Sequence, residues 1–515
     1  MPLTNDELID RGMATAVYAA AAPDRMAVIS PYGDRTFREL NERTNQLVRV
    51  LRALGAVNGS TIALVCRNRP EFIEVYEAAL RGGFRLTPIN WHLTADEIAY
   101  IVDDSEAVAL VGDAFFADTL SATVKQLAGS PGLLAVAGDI DGFASYDDAL
   151  AAQDATDIDD PEPGGAMLYT SGTTGRPKGV RRAMGMAPAL YRLHSRNSPH
   201  AGETNRSLVT GPLYHAAPLS ISLTAPLAAG LGIVLMDGWT PEETLALVEQ
   251  HAITHTHLVP IMFHRLLALD DEVKQRHDLS SLRLVLHGAA PCPVDVKQRM
   301  IEWWGPVIEE YYAATEGGGT YITSKEWLAK PGSVGKATPG SVVEVRDGDG
   351  TQSAPGNVGT VWFKRSTIEP FEYHRDPEKT ASVHDGDFFT LGDMGYVDDD
   401  GYLFLTGRTA ELIISGGVNI YPAEVDAAIL EHPAVHDVAT VGVPDEEWGE
   451  AVKSVVVVRE GYAADDALAK ELLAFCRERL AHFKCPRTID FTDELPRFET
   501  GKILRRVVRD RYWPK

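Results

Sequence analysis

From Thr36 to Glu316 the chain keeps switching between two kinds of apolar pattern, and that alternation limits its fold more than any other feature. Short continuous runs, STIALVC, AVALVG, GIVLMDG and LRLVLHGAA, have the length and makeup of buried strands. Between them lie stretches with helical spacing and helical punctuation. Thr36 and Glu39 form a T-x-x-E capping box; Phe37, Leu40, Leu47, Leu51 and Leu54 follow, and Gly55 supplies the stop. PEFIEVYEAALRGG predicts a helix from Pro70 to the Gly82–Gly83 stop. A second series repeats the rhythm: SLVTGP, GIVLMDG, a helix start at Thr240–Pro241, THTHLVP, LRLVLHGAA and VIEEYYAATE. Such alternation requires parallel sheets covered by helices, with ligands at the carboxyl ends of the strands.

From about Gly332 short β segments with glycine turns run through GYLFLTGR, as in a small barrel or distorted sheet. Beyond Arg408 comes an α+β tail large enough for a separate domain. The 515 residues exceed what one core organises. A formal charge of −25 disfavours nucleic acid as a partner. Cys66, Cys292, Cys476 and Cys485 form no CxxC pair, which argues against a zinc site or disulfide framework. MPLTNDELID lacks a secretory pattern, no apolar run reaches a membrane span, and RYWPK is no peroxisomal signal. A cytoplasmic location is expected.

YTSGTTGRPKGV, from Tyr169 to Val180, packs three glycines and four hydroxyl side chains around Lys178. Glycines let backbone N–H groups turn inward into a concave anion site, so a polyphosphate suits this loop. The G-x-x-x-x-G-K-[ST] spacing is absent, which excludes the common nucleotide P-loop. Further along come YYAATEGG, LGDMGYVDDDGYLFLTGR, SGGVNIYPAEV and PRFETGK.

These five motifs, in this order over more than three hundred residues, resemble the adenylate-forming superfamily of acyl-CoA synthetases, adenylation domains and firefly-type luciferases. The resemblance spans essentially the whole chain. It implies an α/β fold: a large N-terminal domain (1–409) of two doubly wound subdomains plus a small β-barrel, and a small mobile α+β domain (410–515).

The resemblance also assigns roles. Thr170, Ser171, Gly172, Thr173, Thr174, Gly175 and Lys178 would grip the phosphates of ATP, with Thr170 also beside Mg²⁺. Glu316 would bind that Mg²⁺, which needs few protein oxygens when phosphates supply the rest. Thr315 would donate to the α-phosphate, and Tyr312 would offer adenine a flat face. Gly288, Ala289 and Ala290 would let the ring or acyl group lie against backbone, and Asp393 would accept both ribose hydroxyls. Arg408 stands at a second ribose or phosphate contact. Leu391 replaces a frequent threonine before GD. Lys502 would bridge the carboxylate and the α-phosphate, stabilising charge as they react. His215 would lie beside the reacting carboxylate. Ala216 replaces the aspartate of amino-acid-activating relatives, which disfavours an amino-acid substrate. Gly416 and Gly417, with Trp448, would line the pantetheine arm of coenzyme A. Ala410 stands at the hinge where relatives carry Asp or Lys, with Glu411 next. The basic run RRVVRDR reads as a solvated helix face.

The implied reaction converts an apolar carboxylic acid, a fatty acid or similar, first to acyl-AMP and pyrophosphate and then to acyl-CoA. Coenzyme A and ATP are co-substrates and Mg²⁺ is the metal. PLYHAAPLS and VPIMFHRLL are expected to supply apolar lining. Transfer to a carrier-protein thiol is the alternative, and a nucleotide-binding protein without turnover a more distant one. A homodimer is compatible with the sequence.

Overall fold

The computed structural model describes residues 4–170, 177–182, 204–365, 371–408, 411–415, 418–445, 448–480, 482–497 and 501–513. The phosphate-loop residues Ser171, Gly172, Thr173, Thr174 and Gly175, the hinge residue Ala410, and Gly416 and Gly417 lie outside them.

Both capping residues and glycine stops set helix ends where the sequence puts them. Thr36 and Glu39 exchange the two bonds of a capping box at the start of Phe37–Ala53. The helix Pro70–Gly82 has proline in its first turn and ends on Gly83 at φ 74°. Among the described residues the alternating series builds two sheets. A six-stranded parallel sheet runs Ala144–Ser145, Gly132–Val136, Ala107–Asp113, Thr61–Val65, Arg85–Pro88, Gly165–Ala166.

The second sheet has nine strands and positions the site. At its centre, Gly232–Leu235, Arg206–Val209, His255–Leu258, Leu284–His287 and Ile308–Ala314 are mutually parallel neighbours. Their carboxyl ends therefore share one edge. Alternate residues of each strand point to opposite faces. Val285 packs with Leu258, Phe263, Leu266, Val296 and Met300 on one face. On the other, Leu284 and Leu286 pack with Ile221 of the π-helical segment Pro218–Thr224.

The β-rich region contributes a five-stranded antiparallel sheet built on Ser341–Arg346, Gly359–Arg365 and Phe388–Val397, with Leu403–Arg408 on the last of these. A separate three-stranded sheet joins Leu168–Thr170, Lys178–Arg181 and Glu372–Tyr373. In the tail, Val435–Asp445 and Gly449–Val458 form a long hairpin against Pro422–Leu430, on which Asp466–Arg479 packs. The tail's hydrophobic clusters draw on residues from Ile413 onward and share none with the clusters before it.

Two expectations need correction. RRVVRDR is not simply a solvated face: Arg505 is bonded to Asp426, to Glu411 at 3.2 Å and to the Thr440 carbonyl at 3.0 Å. Those partners are remote in sequence, so the charge run alone could not reveal them. In VPIMFHRLL, the side chains of Phe263, Leu266 and Leu267 fill the core between helices, so they line no acyl site. On the opposite face Ala217, Tyr311 and Tyr321 pack around Ile221, Leu284 and Leu286.

Candidate active site

Four segments meet at the carboxyl edge of the nine-stranded sheet. Strand Arg206–Val209 leads to His215, His255–Leu258 to Ile261, Leu284–His287 to Gly288–Ala290, and Ile308–Ala314 to Thr315 and Glu316. At Gly288 a Cβ would stand 2.6 Å from the Tyr311 carbonyl oxygen and 2.7 Å from its ring, so only glycine fits beside that strand. Ala289 adopts φ 67°, a left-handed conformation unusual for a residue with a side chain. Beneath the loop, buried Lys297 holds Glu310 at 2.7 Å, and His287 lies 3.4 Å from the same carboxylate. Burial pushes the Glu310 carboxyl upward, with Lys297 opposing.

The sheet that carries the phosphate-loop motif is tied to this edge. Thr170 stands across the ladder from Lys178, framing the loop's base. Arg182, just beyond, donates to the Thr315 carbonyl and, at 3.4 Å, to that of Ala314. The Tyr373 hydroxyl donates to Glu316 Oε1 at 3.0 Å. Tyr373 sits on the strand that pairs with Val180, so the Glu316 turn and the loop's base form one stitched unit. Lys178 itself is ion-paired with Asp376, which also caps the helix Pro377–Val383. That lysine lowers the Asp376 pKa. Arg182, Tyr373 and Asp376 carry no spacing signal in the sequence, because their partners are far away in the chain.

Tyr312 uses both ends of its side chain. Its ring packs on Phe363, with centroids 5.6 Å apart, and its hydroxyl donates to Asp393. Asp393 is buried and stands opposite Arg408 in the antiparallel ladder. Leu391, the residue in place of threonine, packs on the cluster of Phe363 and Phe389, which accounts for an apolar side chain there. His215 is half-buried, and its Nε2 is buried with no hydrogen-bond partner among the described residues. Burial lowers its pKa to about 4, so the ring is neutral near pH 7. An orphaned, buried nitrogen beside the apolar cluster is what an acidic ligand oxygen would satisfy.

The family model described as AMP-binding enzyme matches residues 16–370, and the one described as AMP-binding enzyme C-terminal domain matches residues 424–502. The chain belongs to the AMP-binding enzyme family. Within that family it is 31% identical to long-chain-fatty-acid–CoA ligase FadD13 of Mycobacterium tuberculosis, over 96% of this chain and 97% of that enzyme. It is 32% identical to indoleacetate–CoA ligase of Aromatoleum aromaticum, over 98% and 97%. The crystal structure of the anthranilate–CoA ligase AuaEII with anthranoyl-AMP superposes with a TM-score of 0.88 at 25% identity, covering 99% and 98%.

In this AMP-binding enzyme the tail presents its Lys502 turn to the body. A Cβ on Gly501, whose φ is 79°, would stand 2.5 Å from Cγ2 of Ile261. Ile261 lies in the first turn of the helix that follows His255–Leu258, so the turn meets the body at the carboxyl end of that strand. Lys502 is half-buried there. Trp448 lies elsewhere on the tail, 42% exposed, with the Arg487 guanidinium 5.1 Å from its ring centre. Ser415 pairs with Gly449, which sets Trp448 beside the end of the strand Ile413–Ser415. Glu411 is fastened to the tail through Arg505.

Mg²⁺ fits these residues in one way. Among the described residues no three His, Cys, Asp or Glu side chains could hold a metal together. The half-buried Glu316 carboxylate, oriented by Tyr373, is the sort of single oxygen ligand that Mg²⁺ takes when phosphates and water complete its shell.

His215→Ala is expected to lower kcat/KM for the acid in adenylation about tenfold or more. Because the imidazole is already neutral, the ratio of wild-type to variant rates should stay flat from about pH 5.5 to about pH 9. A ratio that changes through about pH 6.5 would assign His215 a charged role.

Proposed function

We propose that this enzyme joins an apolar carboxylic acid to coenzyme A through an acyl-adenylate. One observation carries the reading: the Lys502 turn abuts the sheet edge that also presents His215, Gly288–Ala290 and Glu316. A carboxylate oxygen attacks the α-phosphorus of ATP, and pyrophosphate leaves. Lys502 bridges the attacking carboxylate and the phosphoryl oxygens, where negative charge accumulates. The phosphate loop, with Thr170 and Lys178, and Glu316 hold the pyrophosphate end. Glu316 would hold Mg²⁺, which would supply charge neutralisation of the phosphates. Asp393 fixes the ribose, while Tyr312 orients Asp393 and borders the adenine.

The body is residues 1–409 and the tail, 410–515, is a mobile cap pivoting at Ala410. After adenylation the cap turns, Lys502 leaves, and the Gly416–Gly417 loop with Trp448 brings in the thiol. The thiol attacks the acyl carbonyl, a thioester forms and AMP departs. The acid occupies the space between Pro218–Thr224 and the sheet, bordered by Ile221, Leu284, Leu286 and Tyr311. That apolar border suits a fatty acid or similar acid, and the named substrates of FadD13 and the indoleacetate enzyme share a large apolar part.

A panel of aliphatic and aryl acids, read by AMP release with and without coenzyme A, tests this reading. Acid-dependent AMP release that rises with coenzyme A, with the acyl-CoA found by mass, is the expected result. Release that responds only to a carrier protein bearing a free pantetheine thiol would move the acceptor to a protein-bound thiol.

A further inference from the structure

Adenylation asks Lys502 to hold one position on a long, rotatable side chain, and a cation displaced by an ångström loses much of its effect. Two features of the turn address that demand. Arg497 donates from Nη1 to the Gly501 carbonyl and from Nη2 to Asp437 on the strand Val435–Asp445. Its backbone also pairs with Ile503 across the turn. All these partners belong to the cap, so the brace travels with it. The second feature is on the body. Gly501, lacking a Cβ, lies so close to Ile261 that a methyl there would overlap Cγ2 at 2.5 Å.

A second set of groups places the brace at the same helix. Asp437, His436 and Arg459 of the cap all bear electrostatically on His264, on Pro260–Leu267, along with Asp295 of the body. The Asp437 end of the brace and Gly501 thus face one helix from two points.

We propose that Arg497 is the positioning residue for Lys502 and that Gly501 and Ile261 are the key and notch that seat it. The proposal rests on the ligase reading given above. The charge-assisted bonds of Arg497 fix the turn's shape before docking. The missing Cβ then sets how closely the shaped turn approaches the body. Only the adenylation step uses this face of the cap, so faults in either part fall on that step.

Two half-reactions measured on the same full-length preparations test the proposal: acid-dependent exchange of pyrophosphate into ATP, and thioester formation from supplied acyl-AMP and coenzyme A. Arg497→Met should slow exchange about thirtyfold and leave thioester formation within about twofold. Arg497→Lys, which can reach only one of the two partners, should recover part of the exchange. Gly501→Ala should slow exchange by about tenfold or more through the overlap with Ile261. Ile261→Ala in that background should restore part of the loss, because it removes the overlapping Cγ2. The strain of alanine at positive φ remains in both half-reactions. Equal losses in both half-reactions with Arg497→Met, or no recovery from Ile261→Ala, would overturn the proposal while wild-type exchange upheld the ligase reading. Wild-type protein that shows no acid-dependent exchange with any acid would instead overturn the ligase reading itself, and this proposal with it.

Discussion

Lys502→Ala is expected to cut acyl-AMP formation about a thousandfold, close to 4 kcal/mol of transition-state stabilisation. Thioester formation from supplied acyl-AMP should change by less than about threefold. The asymmetry follows from where the charge develops. Attack of a carboxylate on a phosphate ester brings two anions together, and an ammonium between them stabilises the crowded arrangement more than the separated reactants. Attack of a thiol on an acyl-adenylate gathers no such anionic pair at phosphorus, and the proposed turn of the cap would by then have withdrawn Lys502. Burst measurements of pyrophosphate release check the first half, and acyl-CoA formation from acyl-AMP checks the second. Equal loss in both would mean that Lys502 supports the fold or binds nucleotide in both states.

Asp393→Asn carries the second large effect. It should lower kcat/KM for ATP about a hundredfold, near 3 kcal/mol, because the proposed acceptor of both ribose hydroxyls exchanges a two-oxygen carboxyl group for an amide with one oxygen. Asp393 is buried and receives the Tyr312 hydroxyl, so its carboxylate is held in one orientation before nucleotide arrives. Tyr312→Phe should cost less, about fivefold to tenfold, since the ring still packs on Phe363 while the carboxylate loses its tether. The penalty for 2′-deoxy-ATP separates ribose recognition from general damage. In wild type it should be large, and in Asp393→Asn it should nearly vanish. An undiminished penalty in the variant would assign the ribose to other groups.

Much of the scaffold was legible because local chemistry sets it. The Thr36–Glu39 box, the Pro70 start and Gly83 stop, and the short apolar runs became the elements they signalled. Parallel alternation placed the candidate site at the strands' carboxyl ends, and the structure brings His215, Gly288 and Glu316 to one edge there. What the sequence left unread depends on partners far apart in the chain. Tyr373 and Arg182 clasp the Glu316 turn from another sheet. Arg505, which looked like one charge in a basic run, joins Glu411 and Asp426. The VPIMFHRLL stretch showed apolar residues but not which face of the sheet its helix would cover. The π-helical turn at Pro218–Thr224 also went unseen, because i to i+5 backbone bonding over seven residues has no distinctive periodicity.

Exchange of labelled pyrophosphate into ATP, measured with an accepted acid and no thiol present, tests most directly whether the cap's ammonium builds an adenylate on the larger body. The expected result is exchange that requires the acid, persists without coenzyme A and disappears in Lys502→Ala. Exchange that survives in Lys502→Ala, or ATP turnover yielding ADP rather than AMP, would contradict it.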